Sequence, residues 1–261
     1  MLFDKFQNKY IVEGILVAKM PIHIGKGQND FDPLSVDNGV IKDKNGNPFI
    51  PGSSLKGVIR SYIERLFFEG ISLGDKKYKG CLIVNKPCLN DEQVKNIKEK
   101  YKDQKDNIVS DKIAREIYDN LCDVCKIFGS NHFASKIYIN DAYIVGDKAH
   151  IDTRDGVAID RDKLIAADRK KYNFECVSAG TKFKFRMTFE NLEDKQIEIA
   201  KLIVSLLKSG EIKVGGKTSA GLGDIELVEY SVYKVDKSNL IEYLKQESEE
   251  KRKQKVYKEE W

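Results

Sequence analysis

The chain has no long apolar run. Its 261 residues contain no stretch that approaches the roughly 20 consecutive apolar residues needed to span a bilayer. The opening residues, MLFDKFQNKYIVEG, also lack the apolar segment of a signal peptide. These absences exclude the membrane-spanning class and predict a cytoplasmic protein with no membrane partner.

The chain also has little net charge. It carries 45 Lys and Arg against 41 Asp and Glu, a formal charge of +4. A net charge this close to neutrality does not by itself indicate a nucleic-acid partner. Only the clustering of Lys and Arg residues can indicate one. The chain has only five cysteines, and in a cytoplasmic protein these favour free thiols or metal ligands over disulfides.

The hydrophobic patterns of the first half predict a strand, a long loop and a helix. Residues 9–19 have strand character, and the Gly-, Asn-, Asp- and Pro-rich segment after them is typical of a functional or disordered loop. Residues 53–69 have helical spacing, with Ser53 or Ser54 as the cap. The predicted apolar stripe of this helix is Leu55, Ile59, Ile63 and Leu66.

The second half adds strands and a second helix. Strands are predicted over 136–145, 149–160 and 181–189, a buried helix over 194–208, and a last strand after the glycine-rich segment. This order is that of a ferredoxin-like α+β fold, which RNA-recognition modules share. We therefore expect one domain over residues 1–235 with an insertion at 71–131, followed by a charged C-terminal tail, 236–261, that is an exposed helix or disordered.

Two features are suited to phosphate binding. The segment GGKTSAGLG, residues 215–223, surrounds a lysine and two hydroxyls with glycines, so that backbone N–H groups can approach an anion closely. On helix 53–69, Lys56 and Arg60 form a basic face near the N-terminus, where an anion would offset their unfavourable interaction with the helix dipole. The alternatives are an ordinary glycine-rich turn and two solvated cations.

Four cysteines bracket the insertion. Cys81 and Cys88 have six residues between them, and Cys122 and Cys125 form a CxxC pair. Four thiolates suit a structural Zn²⁺ ion, with His132 as an alternative ligand. Four buried free thiols are the other interpretation, and Cys176, inside an apolar strand, is expected to be a core residue.

Several motifs together resemble a known family. HIGKG, VDNGVIKDKNGNPFIPGSSLKGVIRSYIE, RDGVAIDR, ECVSAGTKFKF and GGKTSAGLG are similar to the RAMP superfamily, and the match is to the backbone-forming subunits of type III CRISPR effector complexes, which act in antiviral defence. The resemblance covers nearly the whole chain apart from the tail. It implies a ferredoxin-like (RRM-like) core, a protruding thumb β-hairpin and stacking of several copies along a CRISPR RNA.

The resemblance also implies roles for particular residues. Residues 146–172 would supply the thumb, where basic and small apolar residues alternate, although an ordinary charged hairpin explains the same pattern. The residues implied to bind guide RNA are Ser53, Ser54, Lys56, Arg60, Gly215, Gly216, Lys217, Thr218, Gly221 and Gly223. The implied partners are CRISPR RNA, complementary target RNA, copies of the chain itself and other effector subunits.

Catalysis is assigned to the long loop. The resemblance matches Asp37 to the aspartate on which target-RNA cleavage depends, and a carboxylate there can help to hold a hydrated Mg²⁺ against a phosphate. Asp37-Asn38-Gly39 is also an ordinary turn sequence. The leading interpretation is a guide-RNA-binding subunit that is also a metal-dependent endoribonuclease. The alternatives are a non-catalytic scaffold and a stand-alone ribonuclease for precursor CRISPR RNA, in which His23 would be acid or base or else only a packed structural residue.

Overall fold

A computed structural model describes residues 4–26, 38–102, 109–162 and 165–261. The strands are β1 Asn8–Ala18, β2 Phe49–Ile50, β3 Ile71–Leu73, β4 Lys76–Tyr78, β5 Ile137–Ile139, β6 Ala142–Tyr143, β7 Ile151–Asp160, β8 Ile165–Val177, β9 Lys182–Glu190, β10 Ile225–Asp236 and β11 Tyr257–Glu259. The α-helices are α1 Gly52–Phe67, α2 Asp91–Lys100, α3 Val109–Asn120, α4 Asp123–Phe128, α5 Asp194–Lys208, α6 Leu240–Leu244 and α7 Glu249–Lys253. Within the described ranges, none of these helices is long and apolar enough to cross a membrane.

An antiparallel five-stranded sheet organises the domain. Its strand order is β11-β10-β1-β9-β5. β1 lies at the centre and pairs along its length with β9 and β10, interrupted on the β10 side by a register shift between Glu13 and Ile15. The chain is therefore a mixed α+β protein whose sheet is built around its first strand.

Helices α1 and α5 pack with the sheet into one hydrophobic core. Helix α5 spans the predicted residues, and its N-terminus has a capping box formed by Glu193 and Gln196. The buried stripe of α1 is Leu55, Ile59, Ile63 and Phe67. The expectation that Leu66 completes this stripe was wrong: Leu66 is 39% exposed because the 3.6-residue period brings Phe67, four residues after Ile63, to the core face.

The insertion has a small core of its own. Helices α2 and α3 pack with the cysteine-bearing segments around a cluster that includes Val94, Ile97, Ile117 and Leu121. Buried Lys136 ties this unit to the main domain, because its Nζ donates to Gln196 Oε1 at 2.9 Å and to the Tyr118 hydroxyl at 3.2 Å. Burial lowers the pKa of Lys136, so its ammonium depends on these polar partners and on nearby Glu193.

Strands β7 and β8 form a long antiparallel hairpin. Its register pairs Ile151 with Val177 at the base, and it shifts between Val157 and Ile159. The second strand runs to Val177, beyond residue 172, where the resemblance implies that the thumb ends. The last residues of the strand pair with the chain around Ile22 and Asn38.

The charged C-terminal segment docks on the sheet. β11 pairs with β10 and forms the edge of the sheet, and the ring centroids of Trp261 and Tyr10 are 5.2 Å apart. Arg186 bridges Glu13 and Glu249, and Lys253 also contacts Glu13, so α7 lies over the sheet face opposite the main core. The charged composition favoured an exposed helix or disorder. Helices α6 and α7 contain no buried residue, but a strand and an aromatic anchor follow them.

The N-terminus of α1 touches the backbone of β5. A Cβ at Gly52 would overlap the carbonyl oxygen of Ile139, and the Gly52 N–H donates to Asp141 Oδ1 at 2.8 Å. Asp141 is thus the side chain that satisfies this helix end. The expectation that Ser53 or Ser54 caps the helix was wrong: the cap position is Pro51, with no side-chain cap hydrogen bond, and both serines are in the first turn.

Gly52→Ala and Gly57→Ala should change stability in opposite directions. Gly52→Ala forces α1 away from Ile139, and we expect a loss of about 1–3 kcal/mol in the free energy of unfolding. Gly57 lies on the same helix with no other atom near the position of a Cβ, so Gly57→Ala should stabilise by about 0.5–1 kcal/mol. Urea denaturation measures both; a neutral Gly52→Ala variant would contradict the close approach.

Candidate functional site

Three segments with predicted functions converge at one end of the sheet. Ile22 and Val177 exchange backbone hydrogen bonds, which attach the chain after β1 to the base of the β7–β8 hairpin. The Gly216 N–H donates to the His23 carbonyl at 2.8 Å, and the Gly223 N–H donates to the Pro21 carbonyl at 2.9 Å. The glycine-rich loop, residues 213–224, is therefore held against both the first long loop and the hairpin.

Glu175 of β8 fixes the returning end of the first long loop. Its Oε2 accepts from the Val40 N–H at 2.9 Å, and its Oε1 pairs with Lys42 Nζ at 3.0 Å. Its own N–H donates to the Asn38 carbonyl at 3.0 Å. Asp37, Asp30 and Asp32 lie outside the described residues, but covalent connection alone keeps Asp37 one residue from this anchor.

His23 is packed beneath these segments. Its ring is 9% exposed, lies 5.6 Å from the Phe174 ring edge-to-face and has Nδ1 2.7 Å from the Glu175 carbonyl oxygen. A carbonyl oxygen only accepts, so Nδ1 carries the proton. These contacts match the structural alternative for His23 more closely than a general acid or base.

The glycine-rich loop needs glycine where it meets His23. Gly215 has a φ of +83°, and a Cβ there would overlap the carbonyl oxygen of His23. Thr218–Ala220 then form a single 3₁₀ turn, and Gly221 closes it with another positive φ. The loop is thus compact, and Gly215, Gly216 and Gly221 are exposed.

Lys217 is directed toward the hairpin. Its backbone is left-handed, with φ +59°, and its ammonium lies 4.5 Å from the ring centroids of both Tyr172 and Phe174. Its Nζ is also 3.2 Å from the Tyr172 hydroxyl. Lys217 was predicted from the sequence, but neither ring was. The alternation in YNFECV, residues 172–177, was the signal that could have indicated a strand carrying both rings.

Lys56 and Arg60 differ in their surroundings. Lys56 Nζ donates to Ser135 Oγ at 2.9 Å, and partial burial, followed by the charge of Arg60, lowers its pKa. Arg60 is turned inward: it donates to Glu64 at 2.7 Å, to the Gly129 carbonyl at 3.0 Å and to Cys125 Sγ at 3.4 Å. The expectation of a phosphate-binding Arg60 does not fit this arrangement, because its donors are directed at internal acceptors.

The four insertion cysteines come together. The Sγ atoms of Cys81, Cys88, Cys122 and Cys125 all lie within 4.8 Å of one another, and this cluster could hold a metal ion. The sulfurs of Cys81 and Cys125 are 3.5 Å apart. Tetrahedral coordination at about 2.3 Å per thiolate places sulfurs roughly 3.8 Å apart, so the spacing fits.

The four thiols hydrogen-bond to one another. Hydrogen bonds from Cys122 and Cys125 lower the pKa of Cys81 and Cys88, whereas the neighbouring thiols raise the pKa of Cys122 and Cys125. The Cys125 N–H also donates to Cys122 Sγ at 3.4 Å. Arg60 adds a cation beside Cys125. His132 does not join the cluster, since its Nε2 lies 3.0 Å from Asp91 Oδ1, and buried Cys176 packs with Phe174 and Leu222 as a core residue.

Apart from the cysteine cluster and Arg60 beside it, the predicted site residues therefore form two groups. The glycine-rich loop, the ends of the first long loop and the hairpin contact one another, whereas Ser53, Ser54 and Lys56 lie at the end of α1 beside residues 135–141. Glu175 was not predicted from the sequence. No local pattern marks a carboxylate that accepts a hydrogen bond from a backbone N–H 135 residues away in the chain.

Comparisons with known proteins agree with this architecture. The family model of the RAMP superfamily matches residues 16–226. The chain is 29% identical over 231 residues to the CRISPR system Cms endoribonuclease Csm3 of Methanocaldococcus jannaschii, covering 84% of this chain and 79% of that protein. It is 38% identical over 61 residues to the protein of the same name from Methanothermobacter thermautotrophicus, covering 23% of this chain and 25% of that one. Because the family model matches most of the chain, including the hairpin and the glycine-rich loop, this chain belongs to the RAMP superfamily.

Proposed function

We propose that this protein is a CRISPR RNA-binding backbone subunit of a type III effector complex and that it cleaves bound target RNA with a divalent metal ion. The observation that carries the proposal is the convergence of the glycine-rich loop, the hairpin base and the end of the Asp37 loop on residues 21–26. The relatives' name, endoribonuclease, supports the activity. Partners would be CRISPR RNA, target RNA, further copies of the chain and other effector subunits, in the cytoplasm.

The proposed core is ferredoxin-like. Strands β10, β1, β9 and β5 are neighbours in that order, and α1 follows β1 as α5 follows β9. In a βαββαβ unit this places the fourth, first, third and second strands side by side. Residues 1–235 would be one domain, with 71–131 as its insertion, the β7–β8 hairpin as its thumb and 236–261 as a charged segment outside it.

The proposed grip on guide RNA is electrostatic. Gly215, Gly216 and Gly221 expose backbone at which a phosphate can approach, while Lys217, Thr218 and the first-turn serines of α1 add polar groups. Lys56 supplies a further cation from α1. Such contacts recognise the backbone of a single strand and leave its sequence to base pairing.

The proposed cleavage depends on Asp37. A bound Mg²⁺ would supply positive charge against the scissile phosphate. The contribution of the described chain is to hold Asn38, the residue after Asp37, through the hydrogen bond from the Glu175 N–H to the Asn38 carbonyl. The non-catalytic scaffold shares every other feature. The precursor-processing alternative needs a reactive His23, and the burial of that ring speaks against it.

The cysteine cluster is proposed to bind a structural Zn²⁺. The donor set is four sulfurs at compatible spacing, and Arg60 stands where it would balance the negative charge of a tetrathiolate site. In this proposal Arg60 links the insertion to α1 rather than binding RNA.

Purified protein should contain about one zinc ion per chain, because four thiolates bind Zn²⁺ tightly. Cys122→Ser should remove the metal and lower the melting temperature, while Cys176→Ala, which changes a core cysteine outside the cluster, should retain the metal. Elemental analysis of undamaged protein measures this. Less than half a zinc per chain would contradict the proposal.

Lys56→Ala should weaken binding of single-stranded RNA of every sequence alike and reduce the salt dependence of affinity by about 0.7 in the log–log slope. Lys201→Ala is the control, because it removes the same charge from α5, where Lys201 pairs with Glu198. Fluorescence anisotropy over a salt series measures both variants. Affinity for one short base motif that persists at high salt would contradict phosphate-based binding.

Asp37→Ala should lower the rate of target-RNA cleavage at least about a hundredfold while guide and target binding persist. Asp30→Ala and Asp32→Ala change carboxylates of the same loop and should leave cleavage near the wild-type rate. The assay supplies complementary RNA to the assembled complex with Mg²⁺ or with EDTA. Unchanged cleavage by Asp37→Ala would contradict the assignment, and a wild-type complex that does not cut would favour the scaffold.

A further inference from the structure

Tyr172 joins the hairpin to the glycine-rich loop. It lies on β8 opposite Gly156 of β7, and its ring lies so close over Gly156 that a Cβ there would overlap the end of the ring. The hydroxyl of Tyr172 and its ring both contact the ammonium of Lys217. Two residues farther along β8, Phe174 contacts the same ammonium and is itself buried.

The side chain of Lys217 is therefore held at both of its ends. At the backbone end, the N–H of the preceding residue, Gly216, is bonded to His23. At the other end, the negative faces of two aromatic rings attract the cation. A lysine side chain ordinarily has several rotatable bonds to fix when it meets a ligand, and these contacts restrict it in advance.

The held ammonium can still bind an anion. An ammonium group has three N–H donors, and the Tyr172 hydroxyl accepts from one of them. Lys217 is only partly buried, and the exposed backbone of Gly215 and Gly216 lies next to it. A phosphate oxygen that approaches this loop can therefore meet the ammonium and the backbone N–H groups together.

We infer that Tyr172 and Phe174 are positioning residues that aim Lys217 at a phosphate of the guide RNA where the hairpin meets the glycine-rich loop. The inference rests on the proposed RNA-binding function and adds to it a specific contact between the two elements. In this inference the rings act through Lys217: Phe174 is buried, and Tyr172, which is 39% exposed, packs against Gly156 and Lys217.

The test measures the dissociation constant of a labelled, mixed-sequence single-stranded RNA over a salt series. Tyr172→Phe keeps the ring and should bind like the wild type, whereas Tyr172→Leu loses the aromatic face and should bind about two- to fivefold more weakly. Gly156→Ala should match Tyr172→Leu, because it displaces the ring without removing it. Tyr257→Leu removes an exposed tyrosine ring from β11, outside the proposed binding surface, and should leave affinity unchanged.

A double-mutant cycle separates positioning from a general structural effect. Lys217→Ala should weaken binding and reduce the salt slope by about 0.7. In that background Tyr172→Leu should cause no further loss, because the residue through which it acts is gone. Two results would overturn the inference but leave the proposed function standing. One is additive losses of affinity in the double variant; the other is full affinity of Tyr172→Leu when Lys217→Ala binds RNA more weakly. Unchanged affinity in Lys217→Ala would overturn both the inference and the proposed role of the glycine-rich loop.

Discussion

The backbone of residues 21–26 is the support on which the candidate site depends. Directly after the central strand β1, this segment bonds to the hairpin at Val177, to the returning loop at Gly39 and Ile41, and to the glycine-rich loop at Gly216 and Gly223. Backbone bonds of this kind are short and directional, so each partner segment is fixed relative to the sheet. The first long loop is thereby attached to the central strand of the sheet.

Glu175 and Arg60 also fix neighbouring segments, in their case through side-chain hydrogen bonds. Glu175 binds the returning loop through a backbone N–H and a lysine, and Arg60 binds a carboxylate, a carbonyl and a cysteine sulfur. Both are charged groups with little exposure, and such groups are stable only when their hydrogen-bonding capacity is met. Removing either side chain destabilises the fold because its buried partners would be left unpaired.

Local patterns predicted the regular elements well. Strands β1 and β9 and helix α5 lie within one residue of the ranges 9–19, 181–189 and 194–208 that the hydrophobic patterns predict. Contacts between residues distant in sequence were not predictable from these local patterns. Asp141 as the partner of the α1 N-terminus, the inward turn of Arg60, the extension of β8 to Val177 and the docking of Trp261 each depend on a residue distant in sequence. The resemblance to the RAMP superfamily supplied the grouping of loops that periodicity alone does not contain.

The RNA that accompanies the protein in the cell tests the central claim most directly. The measurement is to purify the protein with its complex from its own cells, extract the bound nucleic acid and sequence it. The account predicts single-stranded RNAs that share a repeat-derived part and differ in the remainder, because the contacts are to the backbone and accept any spacer sequence. Recovery of no RNA, or of unrelated cellular fragments only, would contradict a guide-RNA-binding subunit.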